Sequence, residues 1–260
     1  NTICRELNLK SSNSVKNIVA NSTNKNLKFN NAIVFNNVNF TYPSSDKPSL
    51  SNILLTISKG ECIGIVGSSG SGKSTLADVM LGLLKSDSGE VLVDNQNIHE
   101  NIRNWQNHIG YVPQSIYLVD DSLRNNIAFG IPDDEIDHSR VERAISAAHL
   151  SNFIHDLPMG LDTFVGERGV RLSGGQRQRV GIARALYCEP DVLILDEATS
   201  SLDNLTERRV MQTIYELHKE KTIIIIAHRL TTIVDCDRLY RLENGTIVEE
   251  GSPQELLKNG

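Results

Sequence analysis

The chain has 260 residues, of which 39% are hydrophobic and 22% charged, and its formal net charge is −6. This is the composition of an ordinary globular protein, and the length is sufficient for one large domain or two closely fused lobes with a sizeable core. An acidic domain without a basic stripe is poorly suited to binding a phosphate backbone, so we expect no nucleic-acid partner. The longest apolar run, residues 223–227, is much shorter than the ~20 residues of a membrane-spanning helix, and we interpret it as a buried strand.

The start of the chain differs in composition from the rest. Residues 1–30 are rich in Asn, Ser and Lys with little hydrophobic periodicity, and we interpret them as a polar leader or linker before a domain at residues 31–260. Short apolar or alternating runs bounded by turn residues predict the first strands of this domain, with one helix among them. The strands are placed at residues 33–40, 53–57, 61–66, 89–96 and 108–112, and the helix at residues 73–84.

The second half of the chain is predicted to be helical at first and alternating afterwards. Residues 122–188 are mainly helical and belong to a lobe, about residues 115–188, that we interpret as an insertion in the core. Strands and helices alternate after it, which predicts a largely parallel sheet with its ligand site at the strand ends. The predicted elements are a strand at 192–196, a helix at 204–219, a strand at 222–227, a short helix near 230–234, a hairpin of 237–243 and 246–250 turned at Asn244-Gly245, and a helix after Pro253.

A glycine-rich motif follows the strand at 61–66 and opens the helix at 73–84. It matches the phosphate-binding pattern G-x-x-x-x-G-K-[ST] in its required setting, and it reads Gly67-Ser68-Ser69-Gly70-Ser71-Gly72-Lys73-Ser74-Thr75. Glycines let the backbone curl so that several N–H groups point at one phosphate, and the helix N-terminus adds positive potential. Lys73 is placed to neutralise phosphate oxygens and the Ser74 hydroxyl to ligate Mg²⁺. A plain Ser/Gly-rich turn is the alternative interpretation.

Two acids end the strand at 192–196. Asp196 and Glu197 follow four apolar residues, so they lie at the carboxyl end of a buried strand, where ligands bind in parallel sheets. Asp196 is placed to hold Mg²⁺ through water, and Glu197 to polarise an attacking water. Taken alone, such a pair is as compatible with a solvated turn as with a catalytic site.

A second phosphate-site candidate precedes the amphipathic stretch RQRVGIARALY. Its residues Ser173, Gly174, Gly175 and Gln176 offer backbone N–H groups and a hydroxyl at a helix N-terminus. An ordinary helix cap is the alternative. Two sites for one γ-phosphate are useful only where two chains share them.

The sequence LSGGQ, between a phosphate loop and an LDEATS strand, resembles the nucleotide-binding domains of ABC ATPases. The resemblance covers nearly everything from Ile33 to Gly251, in motif order and in spacing. It implies an α/β fold with a P-loop NTPase core, an antiparallel β subdomain and an inserted α-helical subdomain. It also implies binding and hydrolysis of ATP with Mg²⁺.

The resemblance gives roles to further residues. Tyr42 fits the aromatic residue that stacks on adenine, and Gln114 fits the glutamine that meets Mg²⁺ and the attacking water. Asp203 lies in the loop that crosses between subunits, and His228 fits the histidine that contacts the γ-phosphate. The expected catalytic set consists of Gln114, Glu197 and His228.

Domains of this family dimerise head to tail, so that Ser173 and Gly175 of one copy complete the site around Lys73 of the other. Because every motif residue is present, we expect a homodimer with two competent sites. The membrane partner is expected to be the transmembrane domain of an exporter, in the same polypeptide, with this domain on the cytoplasmic face.

Three features favour the exporter branch. Residues 163–169 resemble the exporter motif that contacts coupling helices, with Glu167 as the contact residue, although Phe164 replaces the usual acid. Residues 117–130 resemble the exporter segment that follows Gln114, and the polar leader suits a domain that follows a membrane-spanning half. The sequence around residues 111–130 and 222–242 resembles that of exporters of lipids and lipid-linked sugars. The alternatives are an importer subunit and a soluble, non-transport ABC ATPase.

Overall fold

Two β-sheets organise the chain in the computed structural model, which describes residues 27–199, 201–218, 220–227 and 232–256. The smaller sheet is antiparallel, with strand order β2-β1-β4-β5. Along β1, burial alternates at first because one face packs on the core and the other is solvated. Its strands are β1 (Ala32–Phe40), β2 (Leu50–Ser58), β4 (Ser88–Val93) and β5 (Gln96–Asn97).

The larger sheet has six strands in the order β10-β9-β3-β8-β7-β6. Its pairs are parallel except for the hairpin of β9 and β10. Strands β7 and β8 are buried at every residue, as expected for parallel strands covered on both faces. The strands are β3 (Cys62–Val66), β6 (Ile109–Val112), β7 (Val192–Asp196), β8 (Thr222–Ile226), β9 (Arg238–Glu243) and β10 (Thr246–Gly251).

Eight α-helices are present in the described part of the chain, and most of them pack on the larger sheet or lie in the helical middle. They are α1 (Lys73–Met80), α2 (Ile102–Asn107), α3 (Leu123–Ile127), α4 (His138–Ala147), α5 (Ser151–His155), α6 (Gly174–Tyr187), α7 (Asn204–Glu216) and α8 (Pro253–Leu256). Outside the gaps given above, each is too short or too polar to span a lipid bilayer.

The six-stranded sheet separates two hydrophobic cores. Alternate residues such as Ile63 and Ile194 face the antiparallel sheet and α1. Their neighbours Leu193 and Ile225 face the opposite side, where they pack with the helices of the middle region and with α7. The larger sheet therefore lies between two layers, and its strand ends carry the loops that form the candidate site.

The predicted fold class is confirmed, with element bounds that differ by a few residues. The helix predicted at 73–84 ends at Met80, because Gly82 has φ 69° and terminates it in the left-handed region. The sequence analysis missed α2, whose first turn is capped by Asn101 and whose Trp105 is fully buried. The short helix predicted near 230–234 begins outside the described residues.

The packed structure starts earlier than residue 31. Leu27 and Phe29, which the sequence analysis placed in the leader, are 2% and 3% exposed. The Phe29 ring packs edge-on against Trp105, with ring centroids 6.4 Å apart. The Asp94 carboxylate accepts hydrogen bonds from three successive backbone N–H groups at 2.6–3.0 Å, those of Asn30, Asn31 and Ala32. Residues 27–31 are therefore fixed to the domain.

Candidate phosphate-binding and catalytic site

The glycine-rich loop connects β3 to α1 in a conformation that its glycines make possible. Gly70 and Gly72 have φ values of 77° and 106°, a region that other residues rarely adopt. Gly67 lies so close to β9 that a Cβ atom there would be 2.2 Å from the carbonyl oxygen of Leu242. The loop therefore depends on glycine for its backbone dihedrals and for its close contact with β9.

Lys73 is held inside the loop that it follows. Its side chain is buried, and its Nζ donates hydrogen bonds to the carbonyl oxygens of Gly67 and Ser68 at 2.8 and 2.9 Å. Burial lowers the pKa of Lys73, and the carboxylates of Glu197 and Asp196 oppose that shift. The Lys73 amino group is thus held within the loop where the phosphate site is predicted.

The two acids occupy the carboxyl end of β7, as predicted. Asp196 is 5% exposed. Its burial and the neighbouring Glu197 carboxylate raise the pKa of Asp196, while a hydrogen bond from Tyr111 opposes the shift. Glu197 has φ 49°, and its backbone N–H donates to the carbonyl of Ile226 on β8 at 2.9 Å.

Gln114 connects the acid pair to the loop that follows β6. Its Nε2 donates to Glu197 Oε2 at 2.7 Å. The structure thus brings Gln114 and Glu197 together across 83 positions of sequence, which the sequence analysis predicted only through the family resemblance.

The predicted phosphate loop, Gln114 and Glu197 line one cleft of about 710 Å³. The loop contributes Ser69, Gly70, Gly72, Lys73, Ser74 and Thr75. Tyr42 stands beside this loop, with its hydroxyl 3.3 Å from Thr75 Oγ1 and its ring edge-on to Phe40. One open cleft therefore gathers eight of the residues that the sequence analysis assigned to ATP, Mg²⁺ and catalysis.

The sequence analysis missed two other walls of this cleft. One is the segment that precedes β2, which contributes Ser45, Lys47, Pro48 and Ser49, and the other is the β9–β10 turn at Asn244 and Gly245. This turn supports the phosphate loop, because the Gly245 N–H donates to the Ser71 carbonyl at 2.9 Å. The turn itself was predicted, but its position beside the loop depends on the pairing of β3 with β9, which no local pattern encodes.

The residues of the LSGGQ sequence, which we call the signature residues, do not line the cleft around Lys73. Ser173 caps α6: its hydroxyl accepts from the Gln176 N–H at 3.2 Å, and the Gln176 side chain accepts from the Ser173 N–H at 2.8 Å. Gly174 lines a second, smaller cleft of about 240 Å³ that also includes Gln114 and Ser201. A Cβ on Gly175 would contact Leu202 at 3.3 Å. This N-terminus is thus well formed, and Gly174 faces a cleft other than the one around Lys73.

Asp203 and His228 have different outcomes. The Asp203 side chain caps α7 and accepts from the backbone N–H groups of Leu205 and Thr206 at 3.1 and 3.0 Å. Hydrogen bonds from Thr206 lower the pKa of this carboxyl group. His228 lies outside the described residues, and its assignment stays a prediction.

The donor set fits a Mg²⁺-bound phosphate ligand. Ser74, Gln114 and Asp196 supply hydroxyl, amide and carboxylate oxygens, which are the hard ligands that Mg²⁺ prefers. The Lys73 ammonium and the N-terminus of α1 supply positive charge for phosphate. The close packing at Gly67 leaves the loop backbone, rather than a side chain, to form the cradle.

The two segments that resemble exporters in sequence, residues 117–130 and 163–169, lie side by side. Phe164 forms an antiparallel bridge with Ser122, and the Val165 N–H donates to the Asp121 carbonyl at 3.0 Å. Large apolar side chains on these segments are exposed, since Phe164 is 52% and Tyr117 61% accessible. Exposed apolar groups that lie together mark protein-binding surfaces, and these two lie on segments that the Ser122–Phe164 bridge joins.

Known proteins resemble this chain in sequence and in structure. A family model described as "ABC transporter" matches residues 50–200. The chain is 41% identical over 240 residues to the ATP-dependent lipid A-core flippase of Photobacterium profundum, which covers 92% of this chain and 41% of that protein. It is 43% identical over 228 residues to the flippase of the same name from Escherichia coli (strain K12), with 87% and 39% covered.

Among solved structures, a bacterial Atm1-family ABC exporter with ATP bound superposes with a TM-score of 0.86 at 38% identity. That match covers 93% of this chain and 42% of the exporter chain. The chain thus spans about two fifths of the length of these relatives.

Proposed function

Because this chain belongs to the ABC transporter family and is an ATPase domain of that family, we propose that it hydrolyses MgATP in the cleft around Lys73 to drive export across a membrane. The observation that carries the proposal is the joint lining of that cleft by the phosphate loop, Gln114 and Glu197. The cleft provides positive charge for the phosphates and a carboxylate for the attacking water within one site.

The chemistry follows from the placement of these side chains. On ATP binding, the Lys73 ammonium exchanges the carbonyls of Gly67 and Ser68 for phosphate oxygens, which are stronger, charged acceptors. Mg²⁺, held by Ser74, Gln114 and Asp196, would neutralise charge on the phosphate oxygens. Glu197 orients the water and accepts its proton, and general-base assistance of this kind typically contributes ~10²–10⁴-fold to the rate.

A second copy of the domain completes the site. Ser173 forms a ready anion-binding N-terminus on α6, yet Gly174 beside it lines a different cleft from that of Lys73. A head-to-tail dimer accounts for both facts, because each copy then offers its signature residues to the ATP of the other. Asp203, at the start of α7, would lie in the loop that crosses between the copies.

The transported substrate is proposed to be a lipid or a lipid-linked glycan. The relatives that match most of this chain are lipid A-core flippases, which favours export over import. A transmembrane domain would dock on the exposed apolar side chains of Tyr117 and Phe164, with Glu167 nearby in a 3-10 turn. In the polypeptide that carries this domain, ATP turnover in lipid nanodiscs should rise with a lipid A-type glycolipid and not with a peptide of similar charge.

ATP-dependent dimerisation tests the shared site. We expect Glu197→Gln to bind ATP without hydrolysing it, and to form dimers on size exclusion only with ATP and Mg²⁺. The matched variant Glu197→Gln/Ser173→Arg should bind ATP and stay monomeric, because the arginine fills the position of the partner's γ-phosphate. If both proteins remain monomeric while they bind ATP, the homodimer proposal is wrong; if the wild type releases no phosphate from ATP, the proposed hydrolysis is wrong.

A further inference from the structure

Two segments, one that follows β7 and one that contains Thr232, are joined through one buried carboxylate on α7. We propose that Glu207 is a positioning residue: it couples the loop after Glu197 to the segment after His228, so that the two sides of the active site move together during ATP hydrolysis. The inference rests on the proposed function of this chain, and it adds a residue that does not line the cleft around Lys73.

The geometry of Glu207 is that of a bridge. Its Oε1 accepts a hydrogen bond from the Thr199 hydroxyl at 2.8 Å and another from the Thr232 hydroxyl at 3.0 Å. Thr199 follows Glu197 by two positions, and Thr232 follows His228 by four. One oxygen atom therefore links Thr199, three residues after the end of β7, to Thr232, six residues after the end of β8.

All three side chains of the bridge are buried, with exposures of 6–7% for Thr199, Glu207 and Thr232. A carboxylate is expensive to bury unless hydrogen bonds replace the lost water. An acid in the first turn of α7 would interact favourably with the helix dipole while remaining in water. The dipole therefore accounts for an acid at the start of α7 but not for its burial against two hydroxyl groups from different segments.

Helix α7 fixes Thr232 at a second point. The Tyr215 hydroxyl donates to the Thr232 carbonyl at 2.6 Å, so this segment is attached to α7 by both backbone and side chain. Thr199 lies in a short turn, in which its carbonyl accepts from the Leu202 N–H at 3.0 Å. The Thr199 turn is consequently joined through Glu207 to a segment that two hydrogen bonds attach to α7.

Paired threonine substitutions isolate the bridge. Thr232→Val keeps the side-chain shape and removes the hydroxyl, whereas Thr232→Ser keeps the hydroxyl. We expect the valine variant to lower kcat for phosphate release by about tenfold, because a hydrogen bond to a charged acceptor is lost, with KM for ATP within about twofold of wild type. The serine variant should retain wild-type kcat. Thr56→Val, at an exposed threonine of β2, is the matched control and should change neither constant.

The same bridge predicts non-additivity. Thr199→Val and Thr232→Val each break it, so the double variant should be less impaired than the product of the two single effects. Glu207→Gln, which retains one acceptor oxygen at the same position, should lie between wild type and either valine variant. Independent, multiplicative effects of the two valines would overturn the coupling.

Hydrogen exchange provides a readout that does not require hydrolysis. Thr232→Val should accelerate amide exchange in a peptide that covers residues 197–203, on the other side of the bridge, and Thr199→Val should do so in one that covers 232–236. Unchanged exchange on the opposite side overturns the inference, whether or not the chain hydrolyses ATP. A wild type without ATPase activity that still shows this cross-effect would refute the proposed function alone.

Discussion

Substitution of Gly67 by alanine tests whether the phosphate loop needs its close contact with β9. A Cβ atom at this position would lie 2.2 Å from the Leu242 carbonyl oxygen and 2.6 Å from Ser71 Oγ. Ordinary contacts of such atoms are about 3.5 Å, so the loop must retreat by roughly 1 Å. Because the Gly67 carbonyl also accepts from Lys73 Nζ, the retreat displaces the positive charge that would meet the phosphates.

The magnitude follows from the cost of overpacking. Forcing an extra methyl group into a filled site costs about 1–3 kcal/mol, and each ~1.4 kcal/mol is a factor of ten in a binding constant. If ATP binding needs the present loop conformation, Gly67→Ala should weaken ATP affinity by about tenfold to a hundredfold. Thermal unfolding without nucleotide should shift downward as well.

A fluorescent ATP analogue, titrated in equilibrium, measures the affinity. Gly130→Ala is the control, because Gly130 has φ 84° with open space around it. That variant should lose about 1 kcal/mol of stability through backbone strain and bind the analogue as the wild type does. Gly67→Ala with an affinity within twofold of wild type would refute the steric argument.

Three further substitutions test the fold and the acid pair. For Asp94, burial raises the pKa, but hydrogen bonds from three backbone N–H groups outweigh it and lower the pKa overall. Asp94→Asn should therefore lower the unfolding free energy by about 1 kcal/mol at pH 7. This difference from wild type should vanish as the pH falls through the depressed pKa. For Asp196, whose pKa is raised, the stability change has the opposite sign. Asp196→Asn should be more stable than wild type by about 1 kcal/mol at pH 8 and equally stable at pH 3. It should also be deficient in ATP hydrolysis. Trp105→Phe removes the hydrogen bond from the indole to the Met80 carbonyl, a loss of about 1 kcal/mol, and should lower Tm by about 2–4 °C without changing ATP affinity.

Urea unfolding at several pH values measures the two aspartate variants, and calorimetry measures the tryptophan variant. An Asp94→Asn difference that grows on acidification would contradict the assigned sign. A destabilised Asp196→Asn would show that the negative charge is stabilised by its surroundings rather than strained. Loss of ATP binding in Trp105→Phe would mean that α2 supports the cleft directly.

Strands with a single possible environment were predicted well from sequence. β7 and β8 are uninterrupted apolar runs of strand length next to turn residues, so they could be read only as buried strands, and their predicted bounds differ from the observed ones by at most one residue. The β9–β10 turn was predicted because Asn244 and Gly245 both tolerate the positive φ values of 47° and 77° that such a turn requires.

Elements and contacts that depend on tertiary packing were not predicted. In α2, Trp105 is the only fully buried side chain, so the six-residue helix has no apolar period to reveal it. The cleft walls at Lys47 and Ser49 carry no motif, and their position follows from how β2 pairs with β1. The contact of Gln114 with Glu197 joins two loops distant in sequence, and the residues alone indicated it only through resemblance to a known family.

Glu197 also bears on how such a site changes over evolutionary time. Its left-handed backbone, φ 49°, costs a non-glycine residue of the order of 1–3 kcal/mol, and its carboxylate raises the pKa of the adjacent Asp196. The position therefore reduces folding stability, and under the proposed function it is the hydrolysis of ATP that requires an acid there. In a descendant copy freed from that selection, substitution to glycine or asparagine would relieve the backbone strain and remove the charge at once. Position 197 would then be among the first in the domain to drift.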